Sequence, residues 1–287
     1  MRSDLRISIV TPTFNGIVTL RETIESVLTQ DYKNWEHIVI DGGSTDSTLD
    51  LLHSYQHLLW ISEKDSGHYH AMNKGIERAS GDIVAILNAD DCYRDGALGR
   101  VADAFAKHPE WDGLFGDIVY VDGKSQEIFR REEACYDYDV LRFGSVCYVI
   151  HPTLFVKKSV YDRLGVYRYD KFLNCCDVDF ILRLGQNGCR IGHIPYPLVN
   201  YRMHEHGQSA DRRVALNMKK EHLAIRKEHG FPDGTTGKFL ERFAQLKRQL
   251  QKLIYRGKVD LISGKRFLEK HMREKTTFSS NIGVDKL

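Results

Sequence analysis

The sequence predicts an α/β fold built on a mainly parallel central sheet, and three observations carry that prediction. Short apolar runs alternate with helical patterns from Ile7 to Asp91. Each apolar run ends in a polar cluster, as strands do when they deliver loops to one edge of a sheet. The chain of 287 residues, 42% hydrophobic and 28% charged, is long and apolar enough for one large domain or two smaller ones with a full core.

The elements follow in order. Ile7 to Val10 is a buried strand closed by Thr11-Pro12-Thr13, and Asn15-Gly16 marks a turn. Leu20, Ile24, Val27 and Leu28 recur at helical spacing. His37 to Ile40 is a second strand ending in Asp41-Gly42-Gly43-Ser44. Leu49 to Leu52 starts a second helix, Leu58 to Ile61 is a third strand, Ala71 to Ala79 a third helix, and Ile83 to Leu87 a fourth strand. Beyond Asp91 the rhythm loosens. Helices are expected at Ala97 to Lys107, Lys157 to Leu164 and Asp177 to Asn187. Strands are expected at Leu114 to Val121, Glu127 to Arg130, around Ile191 and at Leu198 to Tyr201. From Asp211 onward nearly everything reads as helix.

Charge sets further bounds. Forty-one Lys/Arg and 39 Asp/Glu give a net +2, but residues 238 to 276 hold twelve bases against four acids. The rest of the chain is therefore acidic and has no basic patch for nucleic acid. In the basic tail, Phe239, Phe243, Leu246, Leu250 and Leu253 form one apolar stripe opposite a Lys/Arg face. The stripe is expected to pack in part on the body of the protein. Any apolar strip left free would hold the protein on anionic lipid; a solvated face and an oligomer contact are the other readings. No apolar run approaches the ~20 residues of a membrane span. Met1 to Ile9 reads as a charged lead into a strand rather than a secretory signal. Six cysteines in this length read as free thiols of a reducing, cytoplasmic compartment.

Chemistry concentrates at the strand ends. Gly123-Lys124-Ser125 looks like the end of a phosphate loop, but Ile118 stands where that loop needs glycine, so the segment reads as a hairpin turn. Asn88-Ala89-Asp90-Asp91 is more specific. Adjacent carboxylates after an apolar strand repel unless a cation or proton intervenes, and a hard divalent ion completed by diphosphate oxygens suits them. A helix N-cap is the alternative reading. A zinc site from Cys175, Cys176 and Cys189 lacks the usual pairing and a fourth ligand.

The ordered motifs Thr11-Pro12-Thr13-Phe14-Asn15, Asp41 to Asp46, Asp65-Ser66-Gly67 with Ala71 to Gly75, and Leu87 to Asp91 resemble family 2 glycosyltransferases of GT-A fold. The resemblance runs on through Asp177-Val178-Asp179 with Arg183, and Tyr201-Arg202-Met203-His204, covering about residues 5 to 210. It is nearest to bacterial enzymes of surface polysaccharide synthesis. It implies a GT-A domain at 1–210, with a mainly parallel Rossmann-like sheet, followed by a basic helical C-terminal extension at 211–287.

The resemblance also implies roles. Thr11, Pro12, Phe14, Asn15 and Asp41 would hold the nucleotide, Phe14 by its ring face and Asp41 by accepting from the uracil imide. Asp65, Gly67 and Asn73 would complete the donor side with Asn88, Ala89 and Asp90. Lys74 reads either as a diphosphate contact or as a solvated helix residue. The metal motif falls on Asn88 to Asp90, with Asn88 replacing an aspartate. Asp90 then ligates Mn²⁺ or Mg²⁺, with His204 as a second ligand and His206 as its rival in register. Asp91 and His151 are placed on the acceptor side, Asp91 also being close enough in sequence to meet metal or donor sugar. Asp177 matches the catalytic base, and Asp179 points to another helix face. His68 and His70 read as surface residues of a donor-side loop.

The implied reaction is inverting transfer from a UDP-sugar to the hydroxyl of a saccharide or lipid-linked acceptor. The implied location is cytoplasmic, with peripheral contact at the inner face of the membrane and a homo-oligomer as a further option. Two alternatives stand beside it. A nucleotidyltransferase expects a Gly-rich, cationic loop after the first strand, which Thr11 to Gly16 is not. A non-catalytic sugar-nucleotide-binding module would dispense with Asp177.

Overall fold

A computed structural model describes residues 4–204 and 212–257. Its centre is β1 (Ile7–Thr13), buried along its whole length. β1 pairs in parallel with β2 (Trp35–Asp41) on one side and β4 (Ile83–Ile86) on the other, and β2 pairs in parallel with β3 (Leu58–Ser62). Such strands are apolar on both faces because helices cover both. On one face lie α1 (Leu20–Leu28) and α4 (Ala97–Lys107), burying Val27, Leu98, Val101 and Phe105 against Ile7 and Ile9. On the other lies α3 (His68–Arg78), whose Met72 and Ile76 meet Val10 and Ile38. Gly75 permits that approach, since a Cβ there would fall 2.2 Å from Val10 Cγ1. α2 (Thr48–His53) closes the β2–β3 edge with Leu51 and Leu52.

The second half completes one sheet of nine strands. Beyond β4 come β8 (Phe155–Lys157), β6 (Gly113–Val121), β9 (Ile191–Arg202) and the two-residue β5 (Cys92–Tyr93), while β7 (Glu127–Arg131) pairs with β6. β9 replaces the two short strands expected from the sequence. Its register against β6 shifts between Gly116 and Ile118, opposite the stretch holding Pro195 and Pro197, where prolines cannot feed a regular ladder. β5, β8, the α5 helix (Tyr138–Phe143) and the 3₁₀ turn at His151–Thr153 were not anticipated; all are too short to carry a periodic signal. α6 (Lys158–Leu164) and α7 (Cys176–Gln186) fall within a residue of expectation. Gly123-Lys124-Ser125 is indeed the β6–β7 turn, with Ser125 at φ 62°.

α8 (Arg212–Glu228) and α9 (Gly234–Arg256) form the described part of the C-terminal extension. Both are tied into the body. Glu221 of α8 accepts from the backbone N–H groups of Leu173, Asn174 and Cys175, and Arg226 donates to the carbonyls of Arg142 and Phe143. α9 overturns the expectation that its apolar stripe packs inward. Its cations do so instead: Arg248 and Lys252 meet buried Glu133, Arg256 meets buried Asp117, and Lys247 meets Asp137. Buried Asp117 and Glu133, with Asp137 ahead of α5, take these cations, and of the apolar residues of α9 the small Ala244 is buried with them. Residues 205–211, with His206, and 258–287 lie outside the described residues.

Candidate active site

Parallel strands place their C-terminal loops along one edge of the sheet, and three of these loops converge. Phe14 follows β1 and is 64% exposed. Asn15 after it takes φ 50°, its N–H donating to Ser44 Oγ (2.7 Å) and its Oδ1 accepting from Thr45 N–H (2.9 Å). Gly42 sits between loops: a Cβ there would lie 2.7 Å from Asp65 Oδ2 and 3.5 Å from Phe14 Cδ2. The absence of a side chain at Gly42 therefore lets Phe14 and Asp65 face one another across the β2 loop. Asp65 in turn accepts from Gly67 N–H (2.8 Å), and Gly67 at φ 111° turns the chain into α3.

Other residues of this edge are committed to the fold. Thr11 is buried and shares a 2.9 Å hydrogen bond with His37 Nε2; Pro12 lies beside it within β1. Asp41 is wholly buried, and its oxygens accept from Gly43 N–H, Ser44 N–H, Ser44 Oγ and Ser62 Oγ. It staples the β2 loop, and a base contact would require one of those donors to give way. Asn73, expected on the donor side, spends its amide on the N–H and carbonyl of Tyr167. Lys74 is neither solvated nor loose: its Nζ is 2.8 Å from Glu63 Oε1 and donates to the Lys64 carbonyl, bracing the β3 loop.

The β4 loop brings Asp90 to His204 at the end of β9, Oδ2 to Nε2 at 2.9 Å, both half-buried. Arg202 organises this corner. Its Nε donates to the Asp90 carbonyl, its backbone N–H to Asp91 Oδ1 (3.0 Å), and its guanidinium pairs with Glu22 at 2.5 Å. Ala89 is held by its carbonyl, which accepts from Thr19 Oγ1 (2.8 Å). Asn88 donates to Asp91 Oδ2 (3.0 Å). Asp91 is thus buried beneath the loop, with both carboxylate oxygens taking a donor from the protein. Burial and then the neighbouring Asp90 carboxylate push its carboxyl well above the usual range. Among the described residues no three His, Cys, Asp or Glu side chains cluster as a closed metal cage. One carboxylate and one imidazole at this distance do fit a divalent ion that takes its remaining ligands from diphosphate and water.

Asp177 stands half-buried in the first turn of α7. Tyr69, two residues into α3, donates to its Oδ1 at 2.6 Å. Glu221 fixes the loop ahead of that turn. His151 comes close by way of Tyr167, its Nε2 2.7 Å from the Tyr167 hydroxyl. Burial holds its imidazole below the ordinary value, opposed by the Asp177 charge. His68 is half-buried rather than a surface residue: burial pushes it down to about 4, and its ring packs 4.0 Å from that of Tyr69. Asp179 does face elsewhere, buried between Arg168 and Arg183. All six thiols are free, and burial raises those of Cys175 and Cys176. Tyr69, Tyr167, Arg202 and Glu221 were missed as site residues. Tyr69 falls between Asp65-Ser66-Gly67 and Ala71 to Gly75, and apolar neighbours at helical spacing make it read as core.

The profile of Glycosyl transferase family 2 matches residues 8–165, which is more than half of the chain. A Mycobacterium bovis protein named PGL/p-HBAD biosynthesis glycosyltransferase is 30% identical over 187 residues, 63% of this chain and 70% of the relative. Among solved structures, S. aureus TarS 1-349 in complex with UDP-GlcNAc aligns with TM-score 0.56 at 17% identity, over 86% of this chain and 81% of that one. The mannosyltransferase PcManGT from Pyrobaculum calidifontis, in complex with GDP-Man and Mn2+, aligns with TM-score 0.59 at 18% identity, over 87% and 72%. At such identities the structures speak for the GT-A fold, while the profile match spans the loops that carry Phe14, Gly42, Asp65 and Asp90. The chain belongs to glycosyl transferase family 2.

Proposed function

We propose that the protein is an inverting glycosyltransferase that moves a sugar from a UDP-sugar to an acceptor hydroxyl, with Asp177 as the base. One observation carries this reading. Within five residues, Asp65 adjoins the Phe14 and Gly42 loops and Tyr69 binds Asp177, so one short segment spans the nucleotide edge and the proposed base. The Phe14 ring offers a stacking face to the nucleobase. Asp177 takes the proton of the acceptor hydroxyl as that oxygen attacks the anomeric carbon, opposite the departing nucleoside diphosphate. Asp90 and His204 would hold a Mn²⁺ or Mg²⁺ ion, which when bound supplies positive charge to the leaving diphosphate. His151, held by the buried Tyr167 hydroxyl and close enough to feel the Asp177 charge, is assigned to the side of a saccharide or lipid-linked acceptor of surface polysaccharide synthesis.

The burial of Asp41 beneath Gly43, Ser44 and Ser62 favours a second reading of the donor. If its oxygens stay with those donors and do not reach a uracil imide, the exposed Phe14 ring accepts a guanine as readily, and a GDP-sugar then replaces the UDP-sugar.

Calorimetric titration of UDP and of GDP, with and without Mn²⁺, tests the donor side. Metal-dependent binding of UDP that disappears in Asp90→Ala is the expected result. Metal-dependent binding of GDP alone would move the donor to the guanine class. Failure of both nucleotides to bind would overturn the reading. Asp177→Asn should keep the nucleotide affinity and lose transfer by 10²–10⁴-fold, the range of a general base.

A further inference from the structure

α9 is amphipathic in the reverse of the usual sense. Its charged face is turned inward onto Glu133, Asp117 and Asp137, and its apolar stripe is turned to solvent. Seven of the fifteen large hydrophobic side chains exposed among the described residues belong to this one helix, with Phe239 at 67% and Leu246 at 70%. From Phe239 to Leu253 the stripe runs about 21 Å at 1.5 Å per residue. An exposed apolar strip of that length on a surface helix marks an interaction site.

We infer that the stripe of α9 is a docking surface for a bilayer containing anionic phospholipid. The charge around the stripe selects this occupant. The only acid of α9, Glu241, pairs with Arg226 of α8, so the outward side of the helix presents Lys238 and Arg242 and no carboxylate. The following sequence, 258–287, carries seven Lys/Arg against four Asp/Glu. Apolar side chains flanked by cations, with no acid between, complement acyl chains beneath phosphate headgroups.

A second copy of the chain suits the stripe less well. The alternating spacing of four and three from Phe239 to Leu253 is that of a coiled-coil seam. Of the cations flanking such a seam, Lys247 and Arg256 are spent on Asp137 and Asp117, which leaves Arg242 outward beside Lys238. A second α9 brings no free acid to meet these two cations, since its Glu241 pairs with Arg226, whereas a headgroup layer would neutralise them. The inference stands apart from the catalytic assignment, because no residue of α9 enters the candidate active site.

Flotation of the full chain with vesicles of phosphatidylcholine alone, or with one quarter phosphatidylglycerol, tests the inference. The protein should float with the anionic vesicles. Leu246→Glu/Leu250→Glu, and separately Phe239→Glu/Phe243→Glu, should cut the floated fraction at least tenfold with an unchanged thermal midpoint, since these side chains already face water. Lys238→Glu/Arg242→Glu should lose the preference for anionic vesicles. Absence of flotation by the wild type, or flotation retained in both Glu pairs, would overturn the inference. So would light scattering that finds a wild-type dimer and a monomeric Leu246→Glu/Leu250→Glu, which would assign the stripe to a second copy.

Discussion

The Tyr69 hydroxyl donates a 2.6 Å hydrogen bond to Asp177 Oδ1, joining residues 108 positions apart. Tyr69 is buried, so its hydroxyl has no water to fall back on, and burial together with the Asp177 charge pushes its ionisation well above the usual value. A neutral donor in a fixed place orients the carboxylate without competing for the proton that Asp177 is proposed to accept. Tyr69→Phe keeps the ring and removes the donor. A bond to a charged group is worth about 1.5–3 kcal/mol, so kcat should fall roughly 10- to 100-fold. The Michaelis constant for the donor should hold, because the lost hydroxyl bonds Asp177 and the Asn174 carbonyl rather than a nucleotide loop. Parallel loss of donor affinity and kcat would identify a merely structural tyrosine.

Glu221 positions the same turn from α8. Its carboxylate gathers the N–H groups of residues 173–175 just ahead of the helix that carries Asp177. Glu221→Ala leaves those donors to water and loosens the start of α7. A kcat loss of about tenfold is expected, equivalent to ~1.4 kcal/mol, with nucleotide binding by calorimetry intact. Glu221→Gln, which keeps an acceptor oxygen, should recover most of it; equal losses in both variants would point to the charge rather than to the turn.

His37 gives the fold a defined acid sensitivity. It is completely buried in β2, and burial pushes its imidazole down to about 3, with His57 adding to the effect. The unfolded chain binds a proton at this residue near pH 6.5, which the folded chain refuses. Its neutral form therefore contributes full stability above pH 6.5, and the contribution is lost progressively as pH falls from 6.5 towards 3. Urea midpoints should drop between pH 7 and pH 5, with a shallower slope in His37→Gln. An identical slope in the variant would assign the acid sensitivity to other groups.

Glu133 anchors α9. It is buried, and although burial alone would raise its carboxyl, Arg131, Arg248 and Lys252 outweigh that and hold it below the usual range. Removing it strands three cations in a dry site. Glu133→Ala should cost about 3–5 kcal/mol, read as a fall of roughly 6–20 °C in thermal midpoint at 2–4 °C per kcal/mol. A change under about 2 °C would mean that α9 is held by something other than its charges.

Much of this architecture is legible in the residues. The strands around Val10, Ile38 and Val84 are buried on both faces, so their apolar runs announce a parallel sheet without reference to anything distant. The helix at Ala97–Lys107 has a wide apolar face and is bounded as read. The turns at Asn15-Gly16 and Gly123-Lys124-Ser125 carry their own backbone preferences. Phe14, Asp65 and Asp90 sit where strand-end chemistry places them. Asp90 and His204, each expected as a metal ligand from the family resemblance, lie 2.9 Å apart.

What the sequence hid were partners and directions. Asn73 and Asp91 carry residue types suited to ligand contacts, yet each is bound by a group supplied by another segment, and Asp41 is bound by its own loop together with Ser62 of β3. Tyr69 reads as a core aromatic until the α7 turn is brought beside it. Periodicity finds the two faces of α9 but cannot say which one turns inward, because that depends on what the sheet presents: here buried Asp117 and Glu133 take the cations and leave Phe239 to Leu253 outside. Local sequence determined the strands, helices, turns and the edge where chemistry gathers, since burial pattern and backbone preference act over a few residues. Tertiary structure alone decided which polar groups are spent and which remain available, since a hydrogen bond or ion pair depends on which distant groups the fold brings within reach.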